Sequence, residues 1–405
     1  MKFSNLGLSI QIQSAISKKG YSSPTPIQLE AIPAILSGRD VMAAAQTGTG
    51  KTAGFTLPIL ENLSKVNKKC YANQVRALIL TPTRELAAQV HESVTTYGEH
   101  LNLKAEVVFG GVKMNPQMIS LKGGADVLVA TPGRLLDLYR QNAVKFRDLE
   151  VLVLDEADRM LDLGFIDQIK EIMDLLPSKR QSLLFSATFS PDVIDLAKGL
   201  IHNPIEISVN TSNSTAEKVE HYLYPVDQDQ KTDALLYLIK KEKWEQALVF
   251  ASTKHGADQL VKDLNRNNVK SAAIHGNKSQ GARTKALADF KDKKLKILVA
   301  TEIISRGIDI NQLYQVVNFD LPKRAEGYIH RVGRTGRAGE SGSAISLVCA
   351  QEHEMLQIIE RLLQELIPRR ELEGFTPVVP LAESILNTKP FKKKKPKKKK
   401  IIIED

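Results

Sequence analysis

The sequence predicts two α/β domains, each a mainly parallel sheet flanked by helices, with a disordered basic tail at the C-terminus. Three observations lead to this fold class. The chain has 405 residues, more than the ~250–300 that one hydrophobic core usually organises. Short apolar runs recur in two series, each run followed by a segment with helical spacing, as expected for parallel strands and crossover helices. Between the two series lies the polar stretch VNTSNSTAEK, which has the composition of a linker.

The first series contains six predicted strands, which read DVMAAA, VRALILT, AEVVFGG, ADVLVAT, LEVLVLD and QSLLFSAT. The second series contains six more, which read VEHYLYPV, QALVFAST, VKSAAIHG, LKILVAT, QVVNFDLP and GSAISLVC. The segment EHEMLQIIERLLQEL predicts a final amphipathic helix, ended by Pro368. We therefore place an N-terminal domain at residues 1–208, a linker at 209–217, a C-terminal domain at 218–368 and an extended basic tail at 369–405.

The composition is that of an ordinary globular protein, with 42% hydrophobic and 25% charged residues. Most of the net charge of +10 belongs to the last segment, KPFKKKKPKKKKIIIED, so any nucleic-acid affinity of the two domains must come from local patches. Cys70 and Cys349 form no CxxC pair, which favours free thiols in a reducing cytosol. The sequence shows no signal-peptide pattern and no apolar run near the ~20 residues of a membrane span, so we expect a cytoplasmic protein without a membrane partner.

A candidate phosphate-binding loop follows the first predicted strand, in DVMAAAQTGTGKTAG. Gly48 and Gly50 allow backbone N–H groups to turn towards phosphate oxygens, and the N-terminus of the next helix favours negative charge. Lys51 would reach the β- and γ-phosphates, and Thr52 a bound Mg²⁺. Ala45 stands where the general pattern of such loops has glycine. The alternative is a glycine turn followed by an incidental lysine.

Two carboxylates follow a later strand, in VLVLDEAD. Asp155 lies where this strand ends, and the carboxyl ends of strands form the ligand-binding edge of open α/β sheets. We expect Asp155 to hold Mg²⁺ and Glu156 to orient the water that attacks the γ-phosphate. The alternative is an acidic cluster that only complements the N-terminus of a helix.

Together these stretches resemble a known family. AQTGTGKT, PTRELAAQ, TPGR, DEAD, SAT and HRVGRTGR occur in the order and approximate spacing of DEAD-box ATP-dependent RNA helicases, and GYSSPTPIQ resembles that family's Q motif. The resemblance runs from Phe3 to about Arg337 and looks most like the bacterial RhlE-type subgroup. It implies two RecA-like domains that close over ATP, Mg²⁺ and RNA, and an RNA-stimulated ATPase that remodels RNA, for example in ribosome assembly. It also explains Ala45, because this family's loop usually begins with alanine.

The resemblance implies roles for individual residues around the nucleotide. Gln28 would read the adenine edge and Phe3 would stack on the ring. The other implied nucleotide contacts are Tyr21, Gln46, Thr47, Gly48, Thr49, Gly50, Lys51, Thr52 and Asp309. Arg334 and Arg337 would reach the γ-phosphate from the second domain, so hydrolysis would require closure. The residues implied to couple closure to RNA are Asp158, Ser186, Thr188 and His330.

The resemblance also implies a set of RNA contacts, which are Thr83, Arg84, Gly110, Gly111, Thr131, Gly133, Arg134, Gln280, Arg283, Thr301 and Arg306. Hydroxyls, backbone N–H groups and arginines bind the sugar-phosphate backbone without reading bases. Simpler roles stay open: Thr83 and Thr131 as helix caps, the Arg/Gly-rich loop as exposed surface, and the Ser186 segment as a strand end without a coupling role. Glu302 departs from the Asp that the family commonly has.

The function expected from these residues is an ATP-dependent RNA helicase that opens short duplexes. Two rivals stay open, an ATP-gated RNA clamp with little hydrolysis and a DNA helicase. The run KKKKPKKKK predicts an extended tail, which either adds nonspecific RNA affinity or only aids solubility. The sequence identifies no protein partner.

Overall fold

The computed structural model describes residues 2–45, 48–66, 68, 70–209, 219–301, 313–335 and 342–386. They form two α/β domains, and every strand pairing in the two sheets is parallel, which confirms the predicted fold class. Five predicted site residues lie outside the described part of the chain: Gln46, Thr47, Arg306, Asp309 and Arg337. Most of the predicted linker and the Lys-rich run lie outside it as well.

The strands of the first domain are β1 (Val41–Ala44), β2 (Val75–Leu80), β3 (Ala105–Val108), β4 (Ala125–Ala130), β5 (Val151–Leu154), β6 (Gln181–Ser186) and β7 (Ile205–Ser208). They form one sheet in the order β3-β4-β2-β5-β6-β1-β7. Strands β1 to β6 are the six predicted runs. The apolar-run pattern misses β7, because its sequence IEIS alternates apolar and exposed polar residues at the edge of the sheet.

The helices of the first domain are α1 (Ile10–Lys18), α2 (Pro26–Leu36), α3 (Lys51–Lys65), α4 (Arg84–Tyr97), α5 (Met114–Leu121), α6 (Pro132–Arg140), α7 (Ala157–Asp162), α8 (Ile166–Asp174) and α9 (Pro191–Lys198). Hydrophobic cores fill both faces of the sheet. Val41 and Phe185 belong to one core, whereas Met42 and Leu184 belong to the other. Burial on both faces explains why the strand sequences are apolar throughout.

The second domain has strands β8 (Val219–Pro225), β9 (Ala247–Ala251), β10 (Ser271–Ile274), β11 (Ile297–Thr301), β12 (Gln315–Asn318) and β13 (Gly342–Val348). Its sheet order is β10-β11-β9-β12-β13-β8. Its helices are α10 (Lys231–Lys241), α11 (Lys254–Arg266), α12 (Gln280–Lys291), α13 (Ala325–Val332) and α14 (His353–Leu363). In the described ranges of the two domains, no helix is long and apolar enough to cross a membrane.

Beyond α14 the chain packs on the second domain as a C-terminal strap, residues 368–386. The strap meets the sheet at its β8 edge, where Arg370 N donates to Leu223 O over 2.9 Å. Leu372 and Leu381 bury their side chains in two cores of the domain. The first part of the predicted extended tail is thus packed, because it supplies apolar side chains that the second domain covers.

Candidate active site at the domain interface

A cleft of about 430 Å³ lies between the two domains. It opens near the carboxyl ends of β1 and β5, the edge at which parallel sheets bind ligands. Gln28, Lys51 and Glu156 line it from the first domain, and Lys291 and Arg334 line it from the second. Predicted nucleotide residues of both domains therefore meet in one cavity.

The phosphate loop joins β1 to α3 through backbone conformations that favour glycine. Gly48 has a φ of 80° and Gly50 a φ of 93°, both in the left-handed region. A Cβ atom on Gly50 would also lie only 2.4 Å from Gln28 Nε2, so the space excludes a side chain. Helix α3 begins directly after Gly50, and the unpaired N–H groups of its first turn lie beside the cleft, where they favour an anion. Thr49 is half-buried in this loop and Thr52 lines the cleft.

Gln28 connects the GYSSPTPIQ segment to the phosphate loop. Its side chain is buried, its Nε2 atom donates to Gly50 O over 3.1 Å, and its Oε1 atom accepts from Thr25 N over 2.9 Å. Each atom of the amide keeps one further hydrogen-bonding position, one donor and one acceptor. The amide is therefore fixed in orientation at the wall of the cleft.

The aromatic residues expected at the adenine site occupy different places. Tyr21 is 47% exposed and lines the cleft. Phe3 is 6% exposed and packs in a core of the first domain. Among the described residues Phe3 is not part of the cleft lining, in contrast to the stacking role that the resemblance implies. Tyr21 and Tyr97 are the described aromatic residues that line the cleft, and Tyr21 is the more exposed of the two.

Three charged side chains in the cleft each have a buried atom without a hydrogen-bond partner in the described structure: Lys51 Nζ, Asp155 Oδ1 and Glu156 Oε2. An unpaired buried polar atom costs about 1–3 kcal/mol, and a charged one more. A triphosphate would pair the amine, and Mg²⁺ with its water would pair the carboxylates. The donor set therefore fits a nucleoside triphosphate with Mg²⁺, the ligands that the sequence implies.

The carboxylates of the DEAD segment are set in unusual environments. Burial raises the pKa of the Asp155 carboxyl to about 7; nearby Lys51 lowers that pKa, and nearby Glu156 adds to the rise. Glu156 has left-handed backbone angles, φ 55° and ψ 53°, immediately before α7. A non-glycine residue in this region stores roughly 1–3 kcal/mol of strain, typical of functional positions. The Asp158 side chain, in the first turn of α7, accepts a hydrogen bond from Arg159 N.

Within the described ranges, no group of three or more His, Cys, Asp or Glu side chains is arranged to hold a metal ion. An ion at Thr52 and Asp155 would therefore take its other ligands from phosphate and water, as Mg²⁺ commonly does. Ser186, expected to couple closure to RNA, ends β6 with its hydroxyl fully buried and unpartnered in the described structure. Its carbonyl accepts from Ala45 N at the start of the phosphate loop over 3.0 Å. Thr188 is exposed.

The second domain presents Arg334 to the cleft from just beyond the end of α13, with 2% of the residue exposed. Its neighbour Arg331 holds this end of the helix. Arg331 Nη1 donates to Asn318 Oδ1 over 3.1 Å, and its guanidinium lies 4.9 Å above the Phe250 ring. The sequence expectations omit Arg331, although HRVGRTGR contains it. His330 lies beside it, half-buried.

Residues expected to bind RNA gather where β2, β3 and β4 end in the first domain. Arg84 lies against the glycine pair, because a Cβ atom on Gly111 would lie 1.7 Å from Arg84 Nη1 and one on Gly110 would lie 3.7 Å from Arg84 Nη2. Thr83 Oγ1 accepts from the N–H group of the third residue of α4, so this threonine is a helix cap. Arg134 is buried and donates to a main-chain carbonyl in the loop after the glycine pair.

Thr131 and Gly133 complete the expected contacts of the first domain. Thr131 precedes α6 and is buried, but its side chain makes no capping hydrogen bond to the described backbone. Gly133 lies in the first turn of the same helix, where an added Cβ would be 3.5 Å from Gln168 Oε1. In the second domain, Thr301 is buried at the end of β11.

Two further residues expected to bind RNA contact the first domain instead. Gln280 Nε2 donates to Glu85 Oε1 over 3.1 Å, and Arg283 Nη2 lies 2.5 Å from the same oxygen. The Glu85 and Arg283 side chains are 3% and 8% exposed, so this contact is shielded from water. Glu85 is a partner that the sequence expectations miss, because only the folded chain brings PTRELAAQ against α12. The three side chains join the start of α4 to the start of α12.

Comparison with known proteins agrees with this site. The DEAD/DEAH box helicase family matches residues 25–196, and the helicase conserved C-terminal domain matches residues 230–339. The chain belongs to the DEAD-box family of ATP-dependent RNA helicases. It is 42% identical to the DEAD-box ATP-dependent RNA helicase RhpA of Helicobacter pylori over 354 residues, which cover 87% of this chain and 71% of RhpA.

Two solved structures of a related DEAD-box protein match this chain to different extents. A variant of S. cerevisiae Dbp5 bound to RNA and ADP BeF3 has a TM-score of 0.82 at 31% identity, covering 91% of this chain and 95% of that one. The same variant bound to Nup159, a Gle1 variant, IP6 and ADP has a TM-score of 0.62 at 31% identity, with coverage of 91% and 96%. At equal identity and nearly equal coverage, the structure of this chain is more similar to the RNA- and ADP BeF3-bound form.

Proposed function

We propose that this RNA helicase couples ATP hydrolysis to closure of its two domains on the RNA backbone, and that each closure opens a short duplex locally. The observation that carries the proposal is the position of Arg334, which lines the same cleft as Lys51, Asp155 and Glu156 but belongs to the other domain. Because each domain holds half of the site, hydrolysis requires the closed arrangement. Release of the products then favours the open one.

In the proposed reaction the residues of the cleft have separate tasks. The backbone of the phosphate loop and the Lys51 amine bind the β- and γ-phosphates. Thr52 and Asp155 hold Mg²⁺, which neutralises phosphate charge and orients the transferring group when bound. Glu156 accepts a hydrogen bond from the attacking water and aligns it. Arg334 stabilises the charge that develops on the γ-phosphoryl group.

We further propose that Gln28 selects adenine. Its fixed amide offers one donor and one acceptor to the base edge, and Tyr21 offers a ring face beside it. Guanine exchanges the donor and acceptor positions, which leaves buried polar groups unpaired at about 1–3 kcal/mol each. ATP should therefore support RNA-stimulated turnover far better than GTP. Equal turnover of the two nucleotides would contradict this role.

RNA is proposed to bind along the carboxyl ends of β2, β3 and β4, through Arg84, the glycine pair and Arg134. Arginines and backbone N–H groups at such a place bind phosphates of any sequence. We also propose that the chain belongs to the RhlE-type subgroup and acts in the cytoplasm, where it would remodel RNA during ribosome assembly. RhpA, the relative reported above, is likewise named as a DEAD-box ATP-dependent RNA helicase.

Phosphate release with and without RNA tests the proposed function. The parent should release phosphate faster when single-stranded RNA is present, and Glu156→Gln should bind ATP and RNA but turn over at least about a hundredfold more slowly, since a positioned base contributes about 10²–10⁴. Glu30→Gln, an exposed change in α2, is the control and should match the parent. A parent without RNA stimulation would favour the clamp, and equal stimulation by a matched DNA strand would favour a DNA helicase.

A further inference from the structure

We propose that Arg324 and Asp162 form a latch between the two domains, which stabilises the closed arrangement from outside the nucleotide and RNA sites. Arg324 Nη1 donates to Asp162 Oδ1 over 2.7 Å. Asp162 is the last residue of α7 in the first domain, and Arg324 is the N-cap residue of α13 in the second. The side chains are 66% exposed for Arg324 and 31% for Asp162, so the pair lies at the rim of the interface.

The latch joins the two helices that hold the reacting groups, at the ends remote from the chemistry. Helix α7 starts directly after Glu156 and ends at Asp162. Helix α13 starts directly after Arg324, and Arg334 follows just beyond its last residue. At 1.5 Å per residue these helices are about 9 and about 12 Å long. The pair therefore links α7 to α13 in the closed arrangement without touching Glu156 or Arg334.

Local sequence preference does not explain either charge. An arginine side chain has no acceptor, so it cannot cap the N-terminus of α13, and its positive charge opposes the helix dipole there. Asp162 places a negative charge at the C-terminus of α7, which opposes that dipole as well. Each charge therefore opposes the dipole of its own helix and attracts the other charge. Within α7, the Asp162 carboxylate also lies 4.0 Å from the Arg159 guanidinium.

The latch acts together with the buried contact of Glu85 with Gln280 and Arg283. One contact between two domains leaves rotation about it possible, whereas two separated contacts fix the orientation. Exposed ion pairs are weak, so the latch should shift the balance between open and closed arrangements by only about two- to fivefold. Such a shift changes how readily RNA induces closure, and it leaves the chemistry of the closed state unchanged.

The full chain with Arg324→Gln, Asp162→Asn or both changes tests the latch. Each single variant should raise the KM for RNA in the ATPase reaction about two- to fivefold, with kcat at saturating RNA kept. The double variant should raise that KM no further than the singles, because either change alone breaks the pair. The Tm of Arg324→Gln should equal or exceed that of the parent, since an unfavourable charge leaves the start of α13.

The matched control is the exposed pair Arg140 and Glu171, which is also 2.7 Å long but lies within the first domain. Arg140→Gln should leave the KM for RNA at the parental value. An equal rise in Arg140→Gln, or single effects that multiply in the double variant, would overturn the latch.

The inference rests on the proposed closure, so a second measurement separates the two ideas. With one fluorophore on each domain, energy transfer in ATP and RNA should shift towards the open distance in Arg324→Gln and Asp162→Asn. Unchanged transfer in both variants would overturn the latch while the parental ATPase stands. A parent whose phosphate release ignores RNA would instead overturn the proposed function, and the energy transfer would still report whether the pair holds the domains together.

Discussion

The two halves of the cleft differ in how their buried charges are held. In the first domain Lys51, Asp155 and Glu156 each carry a buried polar atom with no partner among the described residues. Such atoms lower stability until a ligand pairs them. The first-domain half is thus shaped for binding, and it gains stability when nucleotide is present.

In the second domain, two buried charges outside the cleft lining, Arg331 and Lys231, make hydrogen bonds to protein groups. Arg331 binds Asn318 and stacks on Phe250. Lys231 is fully buried and donates to Glu352 Oε2 over 2.6 Å. The Arg331 contacts lie near the end of α13, just before Arg334, which lines the cleft. This difference is the one expected if the first domain binds the nucleotide and the second domain completes the site on closure, as proposed.

The largest expected effect separates binding from turnover. Arg334→Gln should lower RNA-stimulated kcat by about 10³ or more, the range found for arginines that act across a cleft in phosphoryl transfer. ATP binding should persist, because the first-domain half of the site is complete without this residue. Equilibrium binding of a fluorescent ATP analogue, measured beside phosphate release, checks both parts. Loss of binding equal to the loss of turnover would show that the first half is not sufficient for binding.

The next effect concerns stability in the absence of nucleotide. Arg331→Met leaves the buried acceptor Asn318 Oδ1 and the part-buried acceptor Asp320 O without this donor and should lower the free energy of unfolding by about 1–3 kcal/mol for each of them. Lys51→Met removes an amine that has no hydrogen-bond partner in the described structure, so it should leave that free energy within about 1 kcal/mol of the parent or raise it. Hydrogen exchange during denaturant unfolding assigns each change to its domain. Equal destabilisation by both substitutions would remove the contrast between the two halves.

A smaller effect is expected from the geometry of the phosphate loop. Gly50→Ala meets both a left-handed backbone and the Gln28 amide, so the loop must shift, and ATP should bind about tenfold more weakly. Gly199→Ala, where an added Cβ meets nothing within 4 Å, is the control and should bind ATP as the parent does. Isothermal titration of both variants gives the comparison. Parental affinity in Gly50→Ala would mean that the loop adapts without Gln28.

The features that could be predicted from sequence are those with local causes. Most inner strands of both sheets are apolar on both faces, and the left-handed backbone at Gly50 favours glycine in the phosphate loop. The nearby Gln28 amide excludes a side chain at Gly50 as well, and only the fold shows this contact. The edge strand β7 escapes prediction because its alternation over four residues is too short to stand out. The packing of the C-terminal strap also escapes prediction, because its few apolar residues, such as Leu372, are surrounded in the sequence by polar ones.

The parts of the site that escaped prediction depend on contacts between distant segments. Glu85 binds Gln280 and Arg283, and these contacts form only when α12 of the second domain lies against α4. Tyr21 and Phe3 are both aromatic residues near the Q segment, and only burial distinguishes the ring in the cleft from the ring in the core. Arg331 and Arg334 belong to one motif, yet Arg331 makes hydrogen bonds within its own domain.

The smallest expected effect lies in the Lys-rich tail, which belongs to neither half of the cleft. A deletion that tests the tail must start beyond the C-terminal strap. Within the strap, the Arg369 side chain donates to Leu381 O over 3.1 Å and to Ala382 O over 2.8 Å. A deletion from residue 369 would therefore remove Leu372 and Leu381 from the cores and confound binding with folding.

Deleting residues 389–405 leaves the strap intact and removes the lysine run. If the tail is an RNA tether, the deletion weakens RNA binding mainly at low salt and flattens the log–log salt dependence by about 0.7 for each lysine that neutralises a phosphate of a single strand. ATPase activity without RNA stays at the parental value, because the tail supplies no group to either half of the nucleotide site. RNA binding measured across a salt series for the full and shortened chains tests this. Superimposable curves would leave the tail with solubility as its role, and the RNA affinity would then belong to the two domains alone.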